Sequence, residues 1–241
     1  RDWLQSSASA ASNAYKRQVG AAPNGLDGCN LAIDEQPNLI VCDGKMTEMD
    51  GFEVTRKLKS EFQTSHIPII LLTAHSSIEH QKEGIDAGAD AYITKPFSLD
   101  YLMIRIVRLI EQREKLQYKF AYEPGKIENT ISTTNKDSQF IEKITAIVEE
   151  HHSDPEFTID DFAQAVNMGR TIFYKKIKGI TNYSPNEYLR IVRLKKAAEL
   201  LKTTDLTVSE IAFQVGFSAA DYVSRCFKDH FGMKPTQYRE E

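Results

Sequence analysis

Three polar side chains stand where short apolar runs end. Asp43 follows "LIVC", Thr73 closes "ILLT", and Lys95 follows "AYIT". A carboxylate can attack phosphorus, a hydroxyl can bond a transferred phosphoryl oxygen, and a fixed ammonium can offset its charge. Any one of them alone is ordinary: a strand-end acid, a β-forming Thr, a solvated Lys. On successive strand ends they describe a phosphoryl-acceptor site, because ligands of an α/β sheet collect outside the carboxyl ends of its strands. Lys45, two residues after Asp43, adds a second cation at the mouth, and His75 follows Thr73 at the same distance.

The elements that must position these groups follow from periodicity. Helical patterning near 1–14 precedes a weak strand near 17–22 and a further helix. Strands at 39–42, 67–74 and 91–94 then alternate with helices near 52–62, 77–87 and from Ser98 onward. Such βα alternation predicts a mostly parallel sheet covered on both faces. The segment "AYEPGKIENTISTTNKDS" has turn-forming residues and little periodicity, so residues 121–137 read as a linker between a domain at 1–120 and another at 138–241. After the linker the strands vanish and amphipathic helices follow.

The second half contains a repeat. "FTIDDFAQAVNM" at 157–168 aligns with "LTVSEIAFQVGF" at 206–217, and "FYKKIK" with "VSRCFK". In each copy a helix ends at a residue suited to a left-handed turn, Asn167 or Gly216, and a second helix begins shortly after. Ala163 and Ala212 let the two helices approach. This is helix-turn-helix grammar used twice, with "SPNEYLRIVRLKKAAELL" as the connecting helix. From 170 to 196, Arg170, Lys175, Lys176, Lys178, Arg190, Arg193, Lys195 and Lys196 face a single acid, Glu187. That stripe reads as a phosphate footprint despite the overall charge of −4.

The remaining composition excludes several classes. Hydrophobic content of 41% and charged content of 27% are those of a soluble globular protein, and no apolar run approaches the ~20 residues of a membrane span. Cys29, Cys42 and Cys226 are far apart without Cys-x-x-Cys spacing, which fits a reducing cytoplasm and argues against disulfides or zinc. His151-His152 reads as a solvated helix end. The chain opens on Arg1-Asp2-Trp3 without a signal segment, as a fragment would.

Residues 1 to about 120 resemble a response-regulator receiver domain, in "CDGKMTEMDG", "LLTA" and "DAYITKPF". The resemblance implies a flavodoxin-like α/β fold. It gives Asp43 as phosphoacceptor, Thr73 as switch hydroxyl, Lys95 as phosphoryl-sensing lysine and Tyr92 as the aromatic that turns inward on activation. Lys45 and His75 fall on positions that set phosphoryl lifetime, and Lys95–Pro96 on a cis peptide bond. Thr47 stands where the family usually has Pro. The family's first strand, with the acidic pair that holds Mg²⁺, has no counterpart, since the chain begins inside the helix after it. Asp43 and the Lys45 carbonyl are then what remains of the Mg²⁺ site, and no bound Mg²⁺ is expected in this chain.

Residues 138–241 resemble the DNA-binding domain of AraC-type regulators, above all in "GFSAADYVSRCFKDHFGMKPTQYR". The resemblance implies an all-α double helix-turn-helix domain. Its first reading helix presents Arg170, Thr171, Tyr174 and Lys175 to the major groove, and its second presents Ala220, Asp221, Ser224 and Arg225. Phe173, Ile177, Val223 and Phe227 face the core. Gly169 and Ala219-Ala220 depart from the family's preferences, so fewer base bonds are expected from the second helix.

The two resemblances together imply a cytoplasmic response-regulator transcription factor, itself no enzyme. Its partners are promoter DNA, a histidine kinase as phosphodonor, and a second copy when active, docking through residues about 76–118. No membrane contact is expected of this piece. The combination is similar to the C-terminal part of hybrid two-component sensors. Three alternatives stand beside this: a free-standing regulator phosphorylated in trans, an unphosphorylated dimerisation platform, and a haloacid-dehalogenase-like phosphatase. The last needs a second acid where Lys45 stands.

Overall fold

The computed structural model describes residues 19–74, 78–122 and 135–240. Contacts divide the chain into two compact units, Arg1–Ile106 and Val107–Glu241.

In the first unit three parallel strands lie in the order β1 (Ile40–Asp43), β2 (Ile69–Thr73) and β3 (Ala91–Thr94). Every residue of β2 is buried, because this continuous apolar run sits between two paired neighbours and under helices. The helices are α1 (Gly25–Glu35), α2 (Gly51–Ser60), α3 (Ile78–Asp86) and the start of α4 (Leu99–Tyr122). The Asn24 side chain accepts from the Asp27 N–H to start α1, and Asp50 and Glu53 form a reciprocal capping box on α2. One core joins Cys29 and Ala32 of α1, Phe52, Val54 and Leu58 of α2, and Cys42, Ile69 and Leu71 of the sheet.

The start of the chain departs from expectation. The helix near 1–14 and residues 17–18 lie outside the described residues, and residues 19–22, read as strand, have no regular structure. A strand persists only where its N–H and C=O groups find a ladder, and among the described residues no strand runs beside the outer edge of β1. Val41, on that edge strand, is 39% exposed.

The second unit is helical. It takes in the latter part of α4 and then α5 (Asn135–His151), α6 (Ile159–Ala165), α7 (Arg170–Thr181), α8 (Pro185–Thr203), α9 (Val208–Gln214), α10 (Ala220–Phe231) and α11 (Pro235–Glu240). The repeat is visible as two short-then-long helix pairs, α6–α7 and α9–α10. Thr158 with Asp161, and Thr207 with Glu210, form capping boxes at equivalent positions of the two copies. Asn167 (φ 57) and Gly216 (φ 78) make the left-handed turns. Phe162, Ala163, Phe173 and Ile177 are buried in the first copy, and Ile211, Ala212, Val223 and Phe227 in the second. Among the described residues no helix is long and apolar enough to cross a membrane.

Candidate functional site

Strand register brings the polar residues of the first unit together. Asp43 is the last residue of β1 and pairs with Leu72, while Thr73 pairs with Thr94 one step further on. Beyond the strands the backbone continues the ladder: the Gly44 N–H donates to the Leu72 carbonyl (2.5 Å) and the Lys95 N–H to that of Thr73 (2.7 Å). The Lys95–Pro96 peptide is cis. Lys95 Nζ then reaches Asp43 Oδ2 at 2.6 Å, and the Lys45 N–H donates to Asp43 Oδ1 at 3.2 Å. The ion pair is open to water, with side chains 38% and 43% exposed, so it orients the carboxylate more than it stabilises the fold. Thr73 is 2% exposed, a hydroxyl held at the buried floor of the same strand ends.

Two glycines make the approach possible. A Cβ at residue 44 would stand 3.0 Å from the Leu72 carbonyl and 3.4 Å from Thr73 Cβ. A Cβ at residue 51 would stand 2.3 Å from the Asp43 carbonyl and 2.8 Å from Leu71 Cδ1. The first turn of α2 therefore lies directly on the backbone of Asp43. Tyr92 is half-buried on β3, its ring against Gly84, where a Cβ would meet Cδ2 at 2.7 Å. His75 lies outside the described residues. Burial and the adjacent Asp43 carboxylate push the Cys42 thiol up to about 12, so the cysteine next to Asp43 is no competing nucleophile.

The donor set does not suit Mg²⁺. That ion wants near-octahedral oxygen ligation, with carboxylates supplying the charge. Among the described residues no three His, Cys, Asp or Glu side chains gather. Both oxygens of Asp43 are already engaged, one by the Lys95 ammonium.

The second unit presents two faces. On α7, Arg170, Thr171 and Tyr174 are exposed and Lys175 half-buried; on α10, Asp221 and Arg225 are exposed and Ala220 and Ser224 half-buried. These are equivalent positions in the repeat. The two helices also share a bare start: Gly169 and Ala219 offer no capping side chain, unlike the capped α6, α8 and α9. One pair of residues on these faces escaped the sequence reading. Ile172 and Tyr222, equivalent in the repeat, are both large and exposed. Tyr222 lies between two arginines: its hydroxyl accepts from Arg190 Nη1 (3.4 Å), and Arg225 lies 6.0 Å from its ring. Equivalence to Ile172 across the repeat was the available signal.

The basic stripe is smaller than its sequence suggests. Lys176 is wholly buried, its Nζ 2.5 Å from Asp137 Oδ1. Arg193 spends its guanidinium on the carbonyls of His152 and Asp154. Arg170 pairs with Asp160 and Lys196 with Glu199 in exposed bridges. A count of cations along a helix cannot tell a solvated face from one turned inward. Behind α7, Arg113 and Gln117 of α4 both donate to the Gly179 carbonyl, at 3.2 and 2.9 Å. Helix α7 is thus anchored by residues from outside the repeat.

Comparison with known proteins agrees with this division. Residues 4–107 match the family described as a response regulator receiver domain, and residues 162–241 match one described as a helix-turn-helix domain. The chain is 39% identical over 218 residues to histidine kinase P4 of Formosa agariphila, which covers 90% of this chain and 16% of that protein. It is 36% identical over 98 residues to the DNA-binding dual master transcriptional regulator RpaA of Synechocystis sp., 41% of each. It is similar in structure to the C-terminal domain of the two-component response regulator YesN from Fusobacterium nucleatum. That likeness has 33% identity and a TM-score of 0.40, over 42% of this chain and 99% of that one. The chain thus spans well under half the length of the curated relatives it matches.

Proposed function

Because the chain belongs to the response regulators, with a receiver domain followed by an AraC-type helix-turn-helix domain, we propose that phosphorylation of Asp43 controls its binding to promoter DNA. The observation that carries this is the Asp43–Lys95 contact at 2.6 Å beside buried Thr73. An Asp43 oxygen attacks the phosphorus of a phosphohistidine on a histidine kinase. The O–P bond forms as the P–N bond breaks, and the imidazole leaves, taking its proton from solvent. Lys95 exchanges its bond to the carboxylate for one to a phosphoryl oxygen, and Thr73 donates to another. The product carries ~1.5 to 2 negative charges, which these two groups move to meet, and Tyr92 follows inward. A second copy docks on the face carrying Ile85, Tyr101 and Ile104, all exposed.

In the second unit α7 and α10 enter successive major-groove segments on one face of a duplex, roughly 34 Å apart. Lys175 and Arg225 are the base readers, with Arg170, Thr171, Tyr174, Asp221 and Ser224 beside them. The likeness to histidine kinase P4 over 90% of the chain favours a phosphodonor in the same polypeptide. A phosphatase would need a carboxylate two residues after the nucleophile, where Lys45 contributes its amide instead.

The test isolates the protein from its own cell, reduces acyl phosphate with borohydride and locates the product by mass spectrometry. Homoserine is expected at position 43. Modification elsewhere, or none while the regulated genes respond, contradicts the assignment.

A further inference from the structure

Arg193 stands in the middle of α8, the helix that connects the two copies, and its half-buried side chain reaches back onto the backbone before α6. Nε donates to the His152 carbonyl at 2.9 Å and Nη2 to the Asp154 carbonyl at 2.5 Å. Both carbonyls belong to the short segment between α5 and α6, the lead-in to the first helix-turn-helix. The same guanidinium lies 5.9 Å from the ring of Phe217, directly after the turn of the second helix-turn-helix. That turn touches the lead-in as well. At Gly216 (φ +78) a Cβ would fall 2.3 Å from the His152 carbonyl and 3.1 Å from both Nε and Cζ of Arg193. One side chain thus meets three elements: the connecting helix, the lead-in of copy one and the turn of copy two. Two directed donors on a planar fork restrain both distance and angle, which a single ammonium cannot do.

We propose that Arg193 is a specificity-determining positioning residue that locks the second helix-turn-helix against the lead-in of the first. It thereby fixes the spacing between half-sites that the two reading helices accept. This rests on the two-reader account of α7 and α10. Arg193 touches no base in it; it acts through the relative placement of Lys175 and Arg225. Without the lock, the directed restraint between the copies is lost, leaving α8 and the undirected approach of Gly216 to the His152 carbonyl to join them, and each reads its half-site with the other freer to follow a shifted groove.

The experiment uses the full chain and a duplex selected by it from a random-sequence pool. One or two base pairs are then inserted between the half-sites, two of them rotating the second site by roughly 70° about the duplex axis. Wild type should lose on the order of tenfold in affinity or more on the two-pair insertion, as for a poorly matched site. For Arg193→Lys and Arg193→Met the ratio of affinities for native and shifted spacing should fall toward one, while the preference within each half-site persists. The lysine variant separates the proposal from a phosphate contact, since it keeps the charge and cannot span two carbonyls. Wild-type discrimination in Arg193→Lys overturns the proposal. So does a salt slope that falls by about one unit in Arg193→Met with spacing discrimination intact, the mark of a lost phosphate contact. Should Arg193→Met not fold, Arg193→Lys decides. A wild type indifferent to spacing overturns the two-reader account itself, and the proposal with it.

Discussion

Lys176 gives the sharpest contrast between a helix read as a row of charges and the same helix packed. As part of a phosphate footprint, its removal would leave stability unchanged and reduce the salt slope of DNA binding by about one. In the structure Lys176 and Asp137 are both 0% exposed, with 2.5 Å between Nζ and Oδ1. Burial lowers the lysine's pKa, opposed by the Asp137 charge and hydrogen bond. Lys176→Met keeps most of the volume but leaves the carboxylate buried without its lysine, at a cost of about 3–5 kcal/mol. For a unit of this size that is a fall in melting temperature of roughly 10 °C or more. Lys176→Met combined with Asp137→Leu removes both charges and should recover most of the loss, since a buried pair contributes little net over apolar replacements. Thermal melts followed by helical circular dichroism on the full chain measure all three variants. A single variant that melts with wild type, or a double variant no better than the single, would refute the reasoning.

Gly51→Ala should destabilise the first unit by roughly 1–3 kcal/mol through overpacking, because the new Cβ meets the Asp43 carbonyl at 2.3 Å. Denaturant titration reads this, and a neutral effect contradicts the close approach. Replacing Arg113 and Gln117 by Ala should speed amide hydrogen exchange at the end of α7 and leave α10 protected, since both donate to the Gly179 carbonyl; equal change in both helices argues against a local anchor. In the capping boxes, hydrogen bonds from Ser184 and Thr207 lower the pKa of Glu187 and Glu210 below the ordinary 4.5. A folded-state value below the unfolded one means stability that is present above pH 4.5 and lost as pH falls through the folded value. Ser184→Ala should therefore raise the Glu187 pKa in a nuclear magnetic resonance titration, and an unmoved value would contradict the cap. Residues 1–241 should bind Mg²⁺ weakly and take little phosphate from acetyl phosphate, because Asp43 already holds the Lys95 ammonium and no three His, Cys, Asp or Glu side chains gather among the described residues; metal-dependent labelling at ordinary millimolar Mg²⁺ would show otherwise.

Most of the fold was legible because its signals are local. The "AYIT" strand lies at the expected residues, and Asp43, Thr73 and Lys95 fall at or just past strand ends as read. The left-handed turns at Asn167 and Gly216 follow from residue type and repeat position. What escaped the sequence depends on which way a side chain points once helices pack. Lys176 and Arg193 look like surface cations until their partners, Asp137 and the His152–Asp154 carbonyls, arrive from elements 39 to 41 residues away. At 19–22, the described part of the strand read near 17–22, no strand forms for a related reason: β-propensity describes a residue that fits a sheet, and the ladder must come from elsewhere.

Under the proposed function, one site on the receiver governs two reading helices on DNA. Genome-wide occupancy in the cell that makes the protein tests it directly, comparing wild type with Lys175→Ala, Arg225→Ala and Asp43→Asn. The reading-helix variants should lose a set of promoters, and Asp43→Asn should lose regulated occupancy at that same set while its chain remains folded and abundant. Asp43→Asn occupying and regulating those promoters as wild type does would contradict the claim.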